Sequence, residues 1–359
     1  KHTLQQMKAK TGKIHELGFG IYSGDMVAHG ISEIVDNLNA KAFIERYKAN
    51  KTALQEEQND DQDSSENIGS KPFNGYYDES LGALFMEAQK KEPLLFINAT
   101  EVVRQTLETV VNDIDETFTD LPIFSTMGNC DVVHDYQWTA DRQWVAEMHR
   151  LYKKLWKNWE FVDDSQFVDS LSGNYVVTQL PNHPKLRLIS FNSLLYSPQL
   201  KRTHEIDVIA NWSMSWIETQ LMETEKAKQT ALLLYHIPVG MNAFDNSAQW
   251  IPSYESQFLA LSQKYKHVIE SHLCGHFHFE TFKILRENDS SDPYGVLLVS
   301  PSISPFFFNN PSFREFILDS DHIKDFYNYF FDLETQSSGV TYKEQHQFRS
   351  AYQLTDLSI

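Results

Sequence analysis

Five side chains in four short stretches could hold metal cations. They are Asp25 in Ser23-Gly24-Asp25, Asn129 in Gly128-Asn129-Cys130-Asp131, His236 closing Leu232-Leu233-Leu234-Tyr235-His236, and His276 and His278 in Gly275-His276-Phe277-His278. A carboxylate, an amide oxygen and imidazoles make a mixed oxygen and nitrogen donor set that suits zinc, manganese or iron. Two divalent cations about 3.5–4 Å apart can clamp a phosphate group and activate the attacking water. Asp25 is the natural bridge between them. His276 and His278 point to opposite sides of an extended chain, so one strand end can serve both cations. Each stretch also has a plain structural reading. Asp25 can cap a following helix, and Gly-Asn-x-Asp is good turn chemistry. A lone His at a strand end is often a hydrogen-bonded structural residue, and an HxH pair is unsurprising in a chain with 14 histidines. Taken together and in order, the four stretches point to a dinuclear site.

What they share is position, each following a short apolar run. Strands are expected at Gly18–Ser23, Pro122–Thr126, Lys185–Asn192, Thr230–His236, Val268–Cys274 and Tyr294–Ser300, where β-branched and aromatic residues are bounded by turn residues. Helices are expected at Ile31–Ala49, Leu81–Lys90, Glu101–Asp115, Asp141–Trp159, Trp212–Ala227 and Tyr254–Tyr265. The alternation reads as an α/β domain or a layered αββα domain, and such sheets place ligands at strand ends. Residues 59–70, NDDQDSSENIGS, read as a polar surface insertion. The stretch from Asp319 onward reads as a small C-terminal appendage.

Bulk properties narrow the partners. The 359 residues carry a formal charge of -18, which repels polyanions and excludes a general binder of nucleic-acid duplexes. It does not exclude a phosphate substrate, because bound cations dominate the local field. The two cysteines, Cys130 and Cys274, define no disulfide framework. Sequons at Asn50, Asn98, Asn211 and Asn288 permit a secretory route. No apolar run is long enough to span a bilayer. The run Phe306-Phe307-Phe308 reads as packing, with a loop touching substrate or lipid as the alternative.

The ordered set GD, GN, H, GHxH resembles the signature of the calcineurin-like metallophosphoesterases. Several stretches resemble the acid sphingomyelinase-like branch in particular: His29 four residues after Asp25, His236-Ile237-Pro238-Val239-Gly240, Ser300–Pro305 followed by Asn309–Arg314, and Phe348-Arg349-Ser350-Ala351-Tyr352 to Asp356-Leu357. The resemblance implies a four-layer αββα sandwich over residues 1–318, with 319–359 packed on it. It implies two divalent cations, zinc first and manganese or iron as alternatives. Asp25, Asn129, His236 and His276 would hold one, and Asp25 and His278 would contribute to the other. The implied reaction is hydrolysis of a phosphate ester, phospholipid and polyphosphate being candidate substrates. The implied location is the secretory pathway, outside the cell or in a vacuole or lysosome-like compartment.

Two departures qualify these expectations. The family's Asp-x-His motif, which supplies further ligands to the second cation, does not precede Asp25. Lys1–Glu16 reads as the helix that follows that strand, so a missing native N-terminus is the expectation; His2 and His15 follow no apolar strand and are poor substitutes. Cys130 stands where most of the family has a His that assists the leaving oxygen. A thiol lacks the cationic form of imidazole, which leaves Cys130 as a weak proton donor and His134, four residues on, as a partial replacement, while the resemblance puts the third catalytic candidate, His29, near the phosphate or against the metal shell. Loss of general-acid help typically costs about 10²–10⁴-fold. Endopolyphosphatases are similar in tolerating a non-His residue there. The alternatives are therefore an endopolyphosphatase-like hydrolase and a catalytically impaired metal-binding relative.

Overall fold

The computed structural model describes residues 18–26, 35, 38, 98–242, 244–287, 292–305, 307, 309–334, 341–355 and 357. The chain divides into two compact units, residues 1–28 with 106–359, and residues 29–105. In the second unit, Val35, Leu38 and 98–105 are described. The expected helices at Ile31–Ala49 and Leu81–Lys90 and the insertion at 59–70 thus lie outside the described residues, apart from Val35 and Leu38, which are helical.

Strands β1 (Gly20–Tyr22) and β2 (Ile123–Ser125) pair in parallel, Tyr22 opposite Ser125, so both chains leave at the same end. The larger sheet has seven strands: β3 (Val162–Asp163), β4 (Tyr175–Val177), β5 (Leu186–Ser190), β6 (Thr230–Leu234), β7 (Ile269–Cys274), β8 (Thr281–Leu285) and β9 (Gly295–Val299), in the order β3-β4-β5-β6-β7-β9-β8. β5, β6, β7 and β9 are parallel, and antiparallel strands close the two edges. β5 and β6 read LRLIS and TALLL and are almost wholly buried, as parallel strands covered on both faces require. Parallel pairing brings the C-terminal ends of β6 and β7 to one edge, where His236 and His276 leave the sheet.

The two sheets are joined by hydrogen bonds. Tyr175 Oη accepts from Ser125 N at 2.9 Å and donates to the Ser125 carbonyl at 2.6 Å. Thr126 Oγ1 donates to the Phe191 carbonyl at 3.1 Å. The longer helices are α1 (Ala99–Thr117), α2 (Arg142–Leu155), α3 (His204–Lys226) and α4 (Pro252–Lys264). α2 packs against β2, and α3 against β5 and β6. Asp141 caps α2 through the N–H groups of Gln143 and Trp144, and Thr203 starts α3 eight residues earlier than the apolar pattern alone marks. This is the mixed α/β arrangement expected. The six expected strands are present with slightly trimmed ends.

Antiparallel strands β10 (Ser312–Asp319), β11 (His322–Phe330) and β12 (Lys343–Gln347) form a separate sheet, followed by α5 (Phe348–Tyr352). Ser320, with φ 58°, turns the first hairpin. Phe313, Tyr329 and Tyr342 form its core, and Glu270 of β7 accepts from the N–H of Ile323, tying it to the larger sheet.

Behind the edge that carries His236 lies a packed aromatic core of Phe191, Tyr196, Tyr235, Trp250 and Phe258, all fully buried. Trp250 Nε1 donates to the Ile237 carbonyl at 2.9 Å and fixes the residue after His236. His272 borders this core, with Tyr235 Oη 3.1 Å from its Nδ1. Burial pushes His272 down from the usual 6.5 to about 3. The folded protein therefore keeps this ring neutral where the unfolded chain protonates it, and stability must fall as pH drops below about 6.5. At 1.36 kcal/mol per pH unit, the contribution lost by pH 4.5 is about 2–3 kcal/mol. His272→Asn keeps a partner for Tyr235 without the titration. Urea midpoints at pH 7 and 4.5 are expected to differ less in the variant than in the wild type; an equal difference would rule His272 out as a source of acid sensitivity.

Candidate metal centre

Four strand ends converge at the site, and glycines let the chains approach. A Cβ on Gly24 would lie 2.8 Å from Gly128 Cα and from His236 Nδ1, and one on Gly128 would collide with Asp25 N and Oδ1. Asp25, at φ 59°, is left-handed, and so are His276 at 76° and His278 at 63°. Such conformations cost about 1–2 kcal/mol each for an L-residue and cluster at functional sites.

His236 is buried, and its Nδ1–H donates to the Ser23 carbonyl at 2.6 Å. In the neutral ring Nε2 then carries a lone pair, which faces Asn129 Oδ1 at 2.9 Å and Asp25 Oδ2 at 3.0 Å. Asn129 is fully buried. Its Nδ2 donates to Cys130 Sγ at 3.2 Å, which turns Oδ1 toward His236 and toward His276 Nδ1 at 2.8 Å. Asp25 Oδ1 accepts from Cys130 N at 2.8 Å. Asp25 Oδ2 is buried without a hydrogen-bond partner, 3.0 Å from His236 Nε2. Ligand atoms of Asp25, His236 and His276 lie within 4.8 Å of one another. Lone pairs aimed at one another repel unless a proton or a cation sits among them, so this donor set fits a divalent cation.

The electrostatics follow. Burial alone would raise the Asp25 carboxyl, but His236, the Cys130 N–H and His276 hold it well below the usual carboxylate range. Burial opposes protonation of His236, and the Asp25 charge overrides it and raises the ring.

Two contributors escape a motif-by-motif reading. Asp131, fully buried, accepts from the backbone N–H of Gly128 at 2.9 Å, Asp25 at 3.0 Å and Met26 at 2.6 Å, and so shapes the Asp25 loop. Burial and the Asp25 charge push its carboxyl up, against N–H donors that favour the anion. Tyr136 Oη lies 3.4 Å from His276 Nε2, with the rings edge to face. Asp131 stands in the Gly-Asn-Cys-Asp stretch, where turn chemistry masks it; nothing in the sequence marks Tyr136.

Of the other candidates, Cys130 touches this group through its thiol and its N–H, and His278 is not among its clustered ligand residues. His278 follows His276 by two residues; its carbonyl accepts from Ser302 N at 3.3 Å and its ring meets Phe307 edge to face at 5.0 Å. Cys130 is 1% exposed, with Sγ 3.8 Å from Asp135 Oδ2. Burial first, then Asp25, Asp135 and Asp131, push its thiol far above the usual range, so it stays protonated. His134 is exposed. His29 lies outside the described residues, as do His2, His15, Phe306 and Phe308.

No family model matches the chain. A sphingomyelinase phosphodiesterase D of Dictyostelium discoideum is 26% identical over 254 residues, 68% of this chain and 56% of that protein. A human cyclic GMP-AMP phosphodiesterase is 27% identical over 273 residues, 72% of this chain and 58% of its own length. The mouse acid sphingomyelinase-like phosphodiesterase 3b is 24% identical over 271 residues, 70% of this chain and 57% of that one. The chain thus spans a little over half the length of these relatives. A dimetal phosphatase from Danio rerio aligns with 75% of this chain and 87% of its own at 10% identity and a TM-score of 0.40, too distant a likeness to bear on the site. By sequence, the chain is similar to acid sphingomyelinase-like phosphodiesterases, the branch of the calcineurin-like metallophosphoesterases that its ordered motifs resemble.

Proposed function

We propose that the chain hydrolyses phosphate esters, phosphodiesters first, at a centre for two divalent cations. The observation that carries this reading is the convergence of Asp25, Asn129, His236 and His276, whose oxygen and nitrogen atoms face one another with an orphaned carboxylate oxygen among them. These four residues would hold one cation; Asp25 and His278 would serve the second. Bound there, the cations supply Lewis-acid polarisation of a phosphoryl oxygen and activation of water. The chain's own part is positioning. Ser23 orients the His236 ring, Cys130 turns the Asn129 amide, and Asp131 holds the Asp25 loop through three N–H groups. Protonation of the leaving oxygen falls to Cys130 or His134, with His29 near the phosphate or bracing the metal shell; Cys130 keeps its proton but is buried, and His134 is exposed.

The relatives' names support a phosphodiester substrate, with a phospholipid head group and a cyclic dinucleotide as the classes to test, and the non-His residue Cys130 adds polyphosphate as a third. Zinc is the first candidate cation, and manganese or iron are the others. Residues 1–318 form the catalytic domain of this proposal, with 319–359 packed on it. Among the described residues no helix is long and apolar enough to cross a membrane. Asn98 and Asn211 are exposed sequons, in keeping with a glycoprotein of the secretory pathway, outside the cell or in a vacuole or lysosome-like compartment.

A second reading, a metal-binding relative with impaired catalysis, draws on Cys130 in the place of the family's His. One experiment separates the two. The native protein is analysed for bound metals and assayed on bis(p-nitrophenyl) phosphate. About two cations per chain with turnover is the expected result. Bound cation without turnover favours the impaired relative, and no cation at all overturns both.

A further inference from the structure

Two residues after His278, Glu280 leads the chain into β8. Its Oε1 lies 3.4 Å from Arg314 Nη2 and 3.2 Å from His346 Nε2. The Arg314 side chain is 2% exposed. Its Nε donates to Asn328 Oδ1 at 3.0 Å, and Nη2 donates to the Val299 carbonyl at 3.3 Å. The guanidinium carbon sits 4.1 Å from the Phe326 ring centroid. Nη1 is buried without an acceptor. One guanidinium thus joins the segment after the metal-site histidines, the end of β9, and strands β10 and β11; through Glu280 and His346 it reaches β12.

Burying a guanidinium costs several kcal/mol unless its contacts offset it. An apolar side chain would fill the same hairpin core without that cost, so packing alone does not account for Arg314. The histidine loop supplies a reason. His276 and His278 are both left-handed, and strained residues persist only where the surroundings over-determine them. At one end of the loop Gly275 N donates to the His236 carbonyl at 3.0 Å. At the other end, Ser302 N reaches the His278 carbonyl, and Glu280 is held by Arg314 and His346.

We propose that Arg314, acting through Glu280, is a positioning residue that holds the His276–His278 loop in ligating geometry. This rests on the metal-centre reading above. The test is cobalt(II) titration of the full chain, followed by visible absorption, in wild type and in Glu280→Gln, Arg314→Met, Arg314→Lys and Phe313→Leu. Phe313→Leu loosens the core of the same sheet away from the clamp and controls for general destabilisation. Glu280→Gln and Arg314→Met are expected to weaken cobalt(II) binding by ~10–100-fold, the range for outer-shell partners of a metal. Arg314→Lys is expected to recover part of that loss, and Phe313→Leu to lower the urea midpoint with affinity unchanged. Wild-type affinity in both Glu280→Gln and Arg314→Met overturns the proposal, and so does an equal loss in Phe313→Leu. A wild type that binds no cobalt(II) fails the metal-centre reading itself, a result distinct from either.

Discussion

Under the proposed function, Asp25→Asn is expected to remove divalent-cation binding from the centre and to lower phosphodiester hydrolysis by on the order of 10³-fold. Lewis-acid stabilisation is worth several kcal/mol, and each 1.36 kcal/mol is a decade in rate. Asparagine isolates the charge. It has the shape of aspartate, tolerates the left-handed backbone of this position, and can still accept the Cys130 N–H through Oδ1. What disappears is the only anion in the group with Asn129, His236 and His276. Elemental analysis of the purified variant, beside its rate on bis(p-nitrophenyl) phosphate, checks both parts. Full metal content and an unchanged rate would remove Asp25 from the chemistry.

Gly128→Ala reaches the same centre by geometry. The added Cβ meets Asp25 N and Oδ1, with Asp25 Cα 2.7 Å away behind them. The obstruction includes backbone, so no rotamer relieves it. The two loops must part, breaking the Cys130-to-Asp25 hydrogen bond and the grip of Asp131 on Gly128, Asp25 and Met26. Overpacking of this kind costs about 1–3 kcal/mol, and a misplacement of about 1 Å in a reacting group can cost 10²-fold in rate. The expected variant is folded, less stable to urea, and at least ~10²-fold slower. Gly295→Ala is the control: its Cβ would meet the Leu285 side chain at 3.3 Å, which can give way, so cation binding and rate should hold. Wild-type kinetics in Gly128→Ala would mean that the close approach of these loops does not matter to the site.

Much of the frame was legible along the chain. Runs such as TALLL and GVLLV are apolar and β-branched or leucine-rich, and turn residues bound them, so their strands could be located without knowing what they pair with. Asp141 ahead of α2 and Pro252 at the start of α4 mark helix starts by local chemistry. Strands β3, β4, β8 and β10 to β12 were not anticipated. β10 and β11 are partly exposed and rich in aromatic and charged residues, so neither a continuous apolar run nor a clean alternation marks them. Their stability comes from cross-strand pairs such as Phe313 with Tyr329, set by register.

The sequence by itself determined the donor types and their order, Asp25, Asn129, His236 and His276, because side-chain chemistry and placement after apolar runs are local properties. The tertiary structure decided which donors meet. Asn129 lies 107 residues from His236 and 147 from His276, and only parallel pairing of β6 with β7 and the join between the two sheets bring those strand ends together. The tertiary structure also decided where each donor atom points. That depends on left-handed backbone at Asp25 and His276, and such conformations are held by long-range partners that no periodicity encodes. The roles of Asp131, Tyr136 and Arg314 arise the same way, from groups distant in sequence whose buried polar atoms must find partners within the fold.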